Sequence, residues 1–187
     1  MRCFTAVFFS EEITRVFHRN QEKCRELGIK GRTVDPTNIH LTVKFMGELD
    51  EAQREKLLLL PDHISAYPIM ELKLSRLGVF PPKGKPKVLW QGLEGTDCSK
   101  LVALHKEVDA FAAEHLAVKR EKRKFFPHVT LMRKPDFPKG FHKSDLASIE
   151  VEKPRTTVDA LCIMRSELTP SGPIYKTLQK IPFYEKL

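Results

Sequence analysis

Two stretches of the chain carry the same four-residue pattern: a histidine, an apolar residue, a threonine and a second apolar residue. The stretch "NIHLTVKFMG" contains His40 and Thr42, and the stretch "FFPHVTLMR" contains His128 and Thr130. Residues two apart in a β-strand point to the same face, so each histidine should project together with its threonine. A chain of this composition contains roughly 0.07 such patterns by chance, which favours a functional pair over two unrelated polar strand faces.

Paired imidazoles and hydroxyls in one cleft suit acid–base chemistry at phosphorus. An imidazole has an unperturbed pKa of about 6.5, so one can deprotonate a nucleophile while the other protonates the leaving oxygen. Threonine hydroxyls can donate hydrogen bonds to the non-bridging phosphate oxygens. We predict that His40 and His128 are catalytic, that Thr42 and Thr130 bind the substrate, and that no cofactor or metal takes part. A metal site would need a third ligand at defined spacing, and neither stretch supplies one.

Each motif strand is expected at the same place in one of two similar halves. Each half shows, in order, a strand, a helix, a connection and the motif strand, which predicts two pseudo-symmetric lobes. Ser10 is a candidate N-cap for the first helix, which Gly28 should end. The fold class predicted is α+β, with two antiparallel sheets forming a central cleft and helices on their outer faces. The predicted strands are 2–9, 38–45, 70–80, 88–93, 125–132, 156–166 and 172–183, the last two forming a hairpin across "ELTPSG", and one short helix spans 50–60.

Composition predicts one soluble domain, 1–187. The chain has 187 residues and no apolar run of the roughly 20 residues that span a bilayer. Four scattered cysteines without a Cys-x-x-Cys pair fit core residues in a reducing cytoplasm, although disulfides stay possible. We expect a cytoplasmic monomer without membrane contact. The net charge of +8 makes an anionic partner plausible, with nucleic acid first.

The motif pair resembles the paired signature of the two-histidine phosphoesterases, and within them the RNA 2′,3′-cyclic phosphodiesterases, also called 2′-5′ RNA ligase-like proteins. The stretches "MRCFTAVFFSEEI", "VLWQGLE" and "SELTPSGPIYKTL" are similar to other parts of that family. The resemblance implies metal-independent opening of an RNA or nucleoside 2′,3′-cyclic phosphate to a 2′-phosphomonoester. It also implies that Arg133 binds the phosphate. Strict alternation directs Arg133 away from His128, so it reaches the cleft only if the strand twists, bulges or ends.

Other activities fit the same residues. A 2′-5′ RNA ligase or 2′-5′ phosphodiesterase would use the same groups, and a non-enzymatic binder could hold a nucleotide or RNA end. The partners expected are RNA ends or nucleoside cyclic phosphates. The basic stretches "VKREKRK" and "PPKGKPK" either contact an RNA backbone or form solvated connections. We expect Phe125 and Phe126 to be buried strand residues rather than base-stacking ones, and Trp90 to lie in the core.

Overall fold

Strands and helices alternate along the first part of the chain, and strands alone follow. The computed structural model describes residues 1–170 and 172–185. Its elements are β1 (Arg2–Val7), α1 (Glu11–Glu26), β2 (Lys30–Thr33), β3 (Leu41–Glu48), α2 (Glu51–Leu57), β4 (Met70–Phe80), β5 (Val88–Glu94), α3 (Cys98–Leu116), β6 (His128–Asp136), β7 (Arg155–Val158), β8 (Ala160–Thr169) and β9 (Gly172–Pro182), with 3₁₀ turns at Pro36–Asn38, Leu60–Asp62 and Lys143–Ser148.

The strands form two antiparallel sheets, and each sheet holds one motif strand. The first sheet has the order β3-β1-β8-β9, and the second has the order β2-β6-β5-β4-β7. β5 and β6 pair antiparallel, with α3 and a connection between them in sequence, and β1 and β3 pair antiparallel, with α1 and β2 between them. The α+β fold class with two antiparallel sheets is therefore confirmed.

One large hydrophobic core joins the sheets and helices, and a smaller apolar cluster lies around Phe4 on β1. The apolar motif residues Leu41, Val43, Val129 and Leu131 are all buried in it. α1, which follows β1 of the first sheet, contacts β6 of the second, and α3, which follows β5 of the second sheet, contacts β3 of the first. Each motif strand therefore packs on the helix that precedes the other motif strand in sequence. All four cysteines are free thiols; Cys3, Cys24 and Cys162 are buried, and Cys98 is partly exposed.

The ends of α1 follow the local signals in the sequence. The hydroxyl oxygen of Ser10 accepts a hydrogen bond from the backbone N–H of Ile13, which otherwise lacks a partner at a helix start. Gly28 follows the helix at φ +82°, a conformation that favours glycine. The predicted helix 50–60 is shorter than expected, because α2 ends at Leu57 and a 3₁₀ turn carries Pro61. A proline disfavours the α conformation at the residue before it.

The predicted strand 156–166 is wrong as a single element. β7 pairs with β4 in the second sheet, whereas β8 pairs with β1 in the first, and the chain changes sheet at Asp159. Asp159 lies outside both strands, and its carbonyl accepts a hydrogen bond from Phe183. The β8–β9 hairpin is confirmed, although its strands extend well into "ELTPSG" and Ser171 lies outside the described residues. The exposed edge strand β2 was not predicted.

The motif strands begin later than predicted. β3 starts one residue after His40, and β6 starts at His128. Phe125 and Phe126 therefore precede the strand, and the prediction that both are buried is wrong, because Phe126 is 41% exposed. Trp90 is buried, as predicted.

Candidate active site

All five residues singled out by the sequence line one cavity of about 1250 Å³. His40 and Thr42 lie at the start of β3 in the first sheet, whereas His128, Thr130 and Arg133 lie on β6 in the second. The two motif strands contact each other. The structure thus brings together side chains that lie far apart in sequence.

The imidazole of His40 is held at both ring nitrogens. Its Nδ1 lies 2.7 Å from the carbonyl oxygen of Asn38, so Nδ1–H donates and the proton of the neutral ring is on Nδ1. Nε2 then carries a lone pair and accepts from the hydroxyl of Thr42, 2.9 Å away. The rings of Phe4, Phe8 and Tyr175 surround it, with centroids 5.1, 5.8 and 5.3 Å from that of His40.

His128 has a similar environment built from other strands. Its Nδ1 donates to the carbonyl oxygen of Phe126, two residues earlier, at 2.8 Å. The rings of Phe80, Trp90 and Phe126 lie around it, with centroids 5.0, 6.2 and 6.5 Å away. Trp90 can occupy this place because the residue opposite it on β4 is Gly78, where a Cβ would lie 2.2 Å from the indole ring.

Burial lowers the pKa of both motif imidazoles. For His40 the removal of water is the main cause of a pKa of about 4, and the positive charges of Arg133 and His128 lower it further, against the opposing effect of the Asn38 carbonyl. Burial likewise lowers the pKa of His128, against the opposing effect of the Phe126 carbonyl. Both rings are therefore mainly neutral near pH 7 in the free protein.

A β-bulge brings Arg133 to the cavity side of β6. Two successive residues of β5 lie opposite Thr130 and Met132, so Leu131 is an extra residue on β6. Leu131 and Met132 are consequently both buried, and the alternation of faces is reversed beyond them. Arg133 thus comes to the same side as His128, although strict alternation predicts the opposite side.

The same irregularity occurs at the same motif position in β3. Two successive residues of β1 lie opposite Thr42 and Lys44, which leaves Val43 as the extra residue. Val43 and Lys44 are both buried, and Phe45 returns to the cavity side with 64% of its surface exposed. Phe45 therefore holds the place, five residues after the motif histidine, that Arg133 holds in β6.

Helix side chains bind the carbonyl of each bulged residue. From α1, the side-chain amide of Gln21 donates to the Leu131 carbonyl at 2.9 Å. From α3, Nδ1 of His105 donates to the Val43 carbonyl at 2.8 Å. A carbonyl displaced from the regular ladder needs another donor when it is buried. α1 and α3 thus each support one bulge, and the Leu131 carbonyl also accepts from the backbone N–H of Val34 at 2.9 Å.

A buried ion pair secures β3 to the basic connection before β6. The ammonium of Lys44 lies 2.5 Å from a carboxylate oxygen of Asp109 on α3, and both side chains are at least nine-tenths buried. Lys44 also donates to the carbonyl of Lys119, and Asp109 accepts from the backbone N–H of Glu121. The stretch 118–124 is therefore a connection anchored at its start, and its residues Arg123 and Lys124 line the cavity.

Neither a metal-binding cluster nor a membrane-spanning helix was found in residues 1–170 and 172–185. No three histidine, cysteine or acidic side chains in these ranges are grouped as metal ligands. No helix there combines the length and the apolar character needed to cross a bilayer.

Comparison with known proteins places the chain in a family. A model of the 2′-5′ RNA ligase superfamily matches residues 17–170. A protein of Thermotoga maritima named RNA 2′,3′-cyclic phosphodiesterase is 32% identical over 98% of this chain and 96% of its own length. The chain belongs to the 2′-5′ RNA ligase superfamily. The protein of the same name from Aquifex aeolicus is 33% identical over 96% of each chain.

Two solved structures agree with this architecture. The crystal structure of TT0787 of Thermus thermophilus shares 27% identity over the full length of both chains, with a TM-score of 0.79. The crystal structure of E. coli LigT without ligand has a TM-score of 0.77 over 98% of both chains, at 23% identity. The second likeness concerns the fold alone.

Sequence patterns missed several residues that surround the motif groups. Tyr175 on β9 and Phe80 on β4 contact the two imidazoles from distant parts of the chain. Gln21 lies on an amphipathic helix, where polar residues are common, so no signal in the sequence indicated its role. The one available signal was the stretch around Tyr175, which resembles the closing hairpin of the family, although nothing there indicated contact with His40.

Proposed function

We propose that this protein hydrolyses 2′,3′-cyclic phosphate ends of RNA to 2′-phosphomonoesters. The observation that supports the proposal most is that both motif imidazoles, both motif threonines and Arg133 line one cavity. The names of the full-length relatives from Thermotoga maritima and Aquifex aeolicus support the same reaction. The proposal includes a single-domain, cytoplasmic monomer that needs no cofactor.

In the proposed reaction, water attacks phosphorus as the bond from phosphorus to the 3′ oxygen breaks. One imidazole accepts a proton from the water through Nε2, and the other donates a proton to the departing 3′ oxygen. For both His40 and His128 the Nδ1–H bond to a backbone carbonyl directs Nε2 away from that carbonyl. The acid is the imidazole that lies beside the 3′ oxygen.

One imidazole must become protonated before the substrate binds or as it binds. Both imidazoles have lowered pKa values in the free protein. A phosphate anion between them favours the charged form and raises these pKa values. Substrate binding therefore helps to create the acid that the reaction needs.

Three further side chains would stabilise the charge on the non-bridging oxygens. The Arg133 guanidinium can offer two parallel N–H donors to a phosphate. The hydroxyls of Thr42 and Thr130 can donate one hydrogen bond each. Thr42 now donates to His40, so substrate binding would exchange that bond for one to phosphate and free the Nε2 lone pair.

The test is turnover of an RNA ending in a 2′,3′-cyclic phosphate, in EDTA, with the position of the product phosphate mapped. We expect His40→Ala and His128→Ala each to lower kcat by at least about 10²-fold, the size of one acid–base role. The exposed His142 provides a control, and His142→Ala should keep wild-type turnover.

The result also separates the alternatives. Most of the activity surviving in either motif variant would contradict the proposal. Binding of the RNA end without multiple turnover would indicate a binder. A product with a new 2′-5′ linkage, or cleavage of 2′-5′ linkages without opening of the cyclic phosphate, would indicate one of the other two activities.

A further inference from the structure

Two arginines lie directly opposite each other at the edge of the second sheet. In the register of β2 and β6, Arg32 is the partner of Arg133. Directly opposed residues of antiparallel strands point to the same face, and both arginines line the cavity. Like charges in this arrangement destabilise a sheet, so their placement calls for a compensating negative charge.

The described part of the protein does not supply that charge. Neither Arg32 nor Arg133 has a carboxylate within 4.0 Å among residues 1–170 and 172–185. Three acidic residues line the cavity, and each has another partner. The carboxylate of Glu121 pairs with Arg123. The carboxylate of Asp35 accepts hydrogen bonds from the backbone and hydroxyl of Thr37, and that of Glu22 pairs with Arg25.

A third cation lies on the other side of Arg133. Val88 of β5 is opposite Arg133 in the sheet, and the preceding residue, Lys87, also lines the cavity. The Lys87 carbonyl accepts from the backbone N–H of Lys134 at 2.8 Å, which fixes Lys87 beside the end of the arginine row. Arg32, Arg133 and Lys87 thus place three positive charges on one side of the cavity. The terminal cyclic phosphate carries a single negative charge and does not need all three.

The position of Arg32 indicates where the second anion lies. Arg133 lines the same cavity as both motif imidazoles, and its charge lowers the pKa of His40. Arg32 is one strand farther out, on the edge strand β2, which pairs only with the part of β6 beyond the bulge. A chain that leaves the imidazoles past Arg133 therefore meets Arg32 next, before it reaches solvent.

We propose that Arg32 binds the internal phosphodiester that precedes the terminal cyclic phosphate. The substrate class is then an oligoribonucleotide with a 2′,3′-cyclic phosphate end, in preference to a cyclic mononucleotide. This inference rests on the proposed function. It adds a second phosphate subsite, which contacts the backbone without reading the bases.

The experiment compares two substrates with the same terminal nucleoside: a nucleoside 2′,3′-cyclic phosphate and a short oligoribonucleotide ending in it. The measured quantity is the ratio of kcat/KM for the oligonucleotide to kcat/KM for the mononucleotide. We expect Arg32→Gln to lower this ratio by about 10- to 100-fold, as befits a lost charge-assisted hydrogen bond. Arg76→Gln removes the same charge from an exposed position of β4 outside the cavity and should leave the ratio unchanged.

A modified substrate tests the same proposed contact between Arg32 and the internal phosphodiester. A neutral methylphosphonate in place of the internal phosphodiester should lower the wild-type ratio, and Arg32→Gln should then have no further effect, as in a double-mutant cycle. The logarithm of the ratio should also depend less steeply on the logarithm of salt concentration in Arg32→Gln, by about 0.7. Arg32→Lys keeps the charge and should largely keep that salt dependence.

Distinct results would overturn the inference. If Arg32→Gln lowers kcat/KM equally for both substrates, Arg32 serves the terminal phosphate. If it changes neither, or if its effect persists on the methylphosphonate, there is no second phosphate subsite. Wild-type protein that turns over neither substrate would instead end the proposed function, and the inference with it.

Discussion

Replacement of His40 by glutamine should remove a pH-dependent part of the protein's stability. The folded-state pKa of His40 is about 4, whereas the unperturbed value is 6.5. The unfolded chain therefore binds the proton more readily than the folded one. Above pH 6.5 the titration of His40 therefore has little effect on the free energy of unfolding, and it lowers this free energy progressively as the pH falls towards 4.

The size of the effect comes from the difference between the two pKa values. Each pKa unit corresponds to about 1.36 kcal/mol, so the full loss by pH 4 is about 3 kcal/mol. Several carboxylates, Glu121 among them with a pKa of about 2, also destabilise the fold when they are protonated. Measurements down to about pH 4.5 largely avoid them, and there His40 should account for about 2.5 kcal/mol.

Urea unfolding of the wild type and His40→Gln between about pH 7 and 4.5 provides the assay. The difference in unfolding free energy between the two proteins should shift by about 2.5 kcal/mol in favour of His40→Gln over this range. His128 is present in both proteins, so its own contribution cancels. His142→Gln controls for the loss of an exposed imidazole. A difference that stays constant with pH would refute the claim that the aromatic surroundings desolvate His40.

Two further predictions concern activity and the buried ion pair. The proposed reaction needs one neutral and one protonated imidazole, and the pH dependence of kcat/KM reports the free protein. Because both imidazole pKa values are lowered, kcat/KM should peak below pH 6.5 and fall about tenfold per pH unit at higher pH. A plateau of kcat/KM extending to about pH 8 would contradict this. Asp109→Asn leaves the Lys44 ammonium buried without its carboxylate, so the unfolding free energy in urea should fall by about 3–5 kcal/mol. A much smaller loss would mean that Lys44 reaches solvent.

Local patterns predicted those parts of the site that depend on neighbouring residues. The two-residue period of a strand sufficed to pair His40 with Thr42 and His128 with Thr130. The beginning of α1 at Ser10 also depends only on the first helical turn. The prediction that both pairs meet in one cavity needed more than local patterns, because it was based on the repeated order of elements in the two halves.

Features that depend on partners distant in sequence were not predictable in the same way. Whether Leu131 bulges depends on the register of β5 and on the amide of Gln21, and no property of the β6 sequence alone reveals either. Alternation also cannot show which sheet a strand joins, so one predicted strand proved to be two, separated at Asp159. The rings around the imidazoles likewise come from β1, β4, β5 and β9, and from Phe8 and Phe126, which lie outside the strands.

The two motifs share their local geometry but differ in charge. In both, Nδ1 of the histidine donates to the carbonyl two residues earlier, and the fourth motif residue bulges. Five residues after each histidine, however, β3 presents Phe45 and β6 presents Arg133. In the proposed reaction, a phosphate bound between the imidazoles is attracted to the guanidinium, so its non-bridging oxygens turn towards β6. The proposed acid and base roles of His40 and His128 are then not interchangeable, because the substrate has one favoured orientation between them.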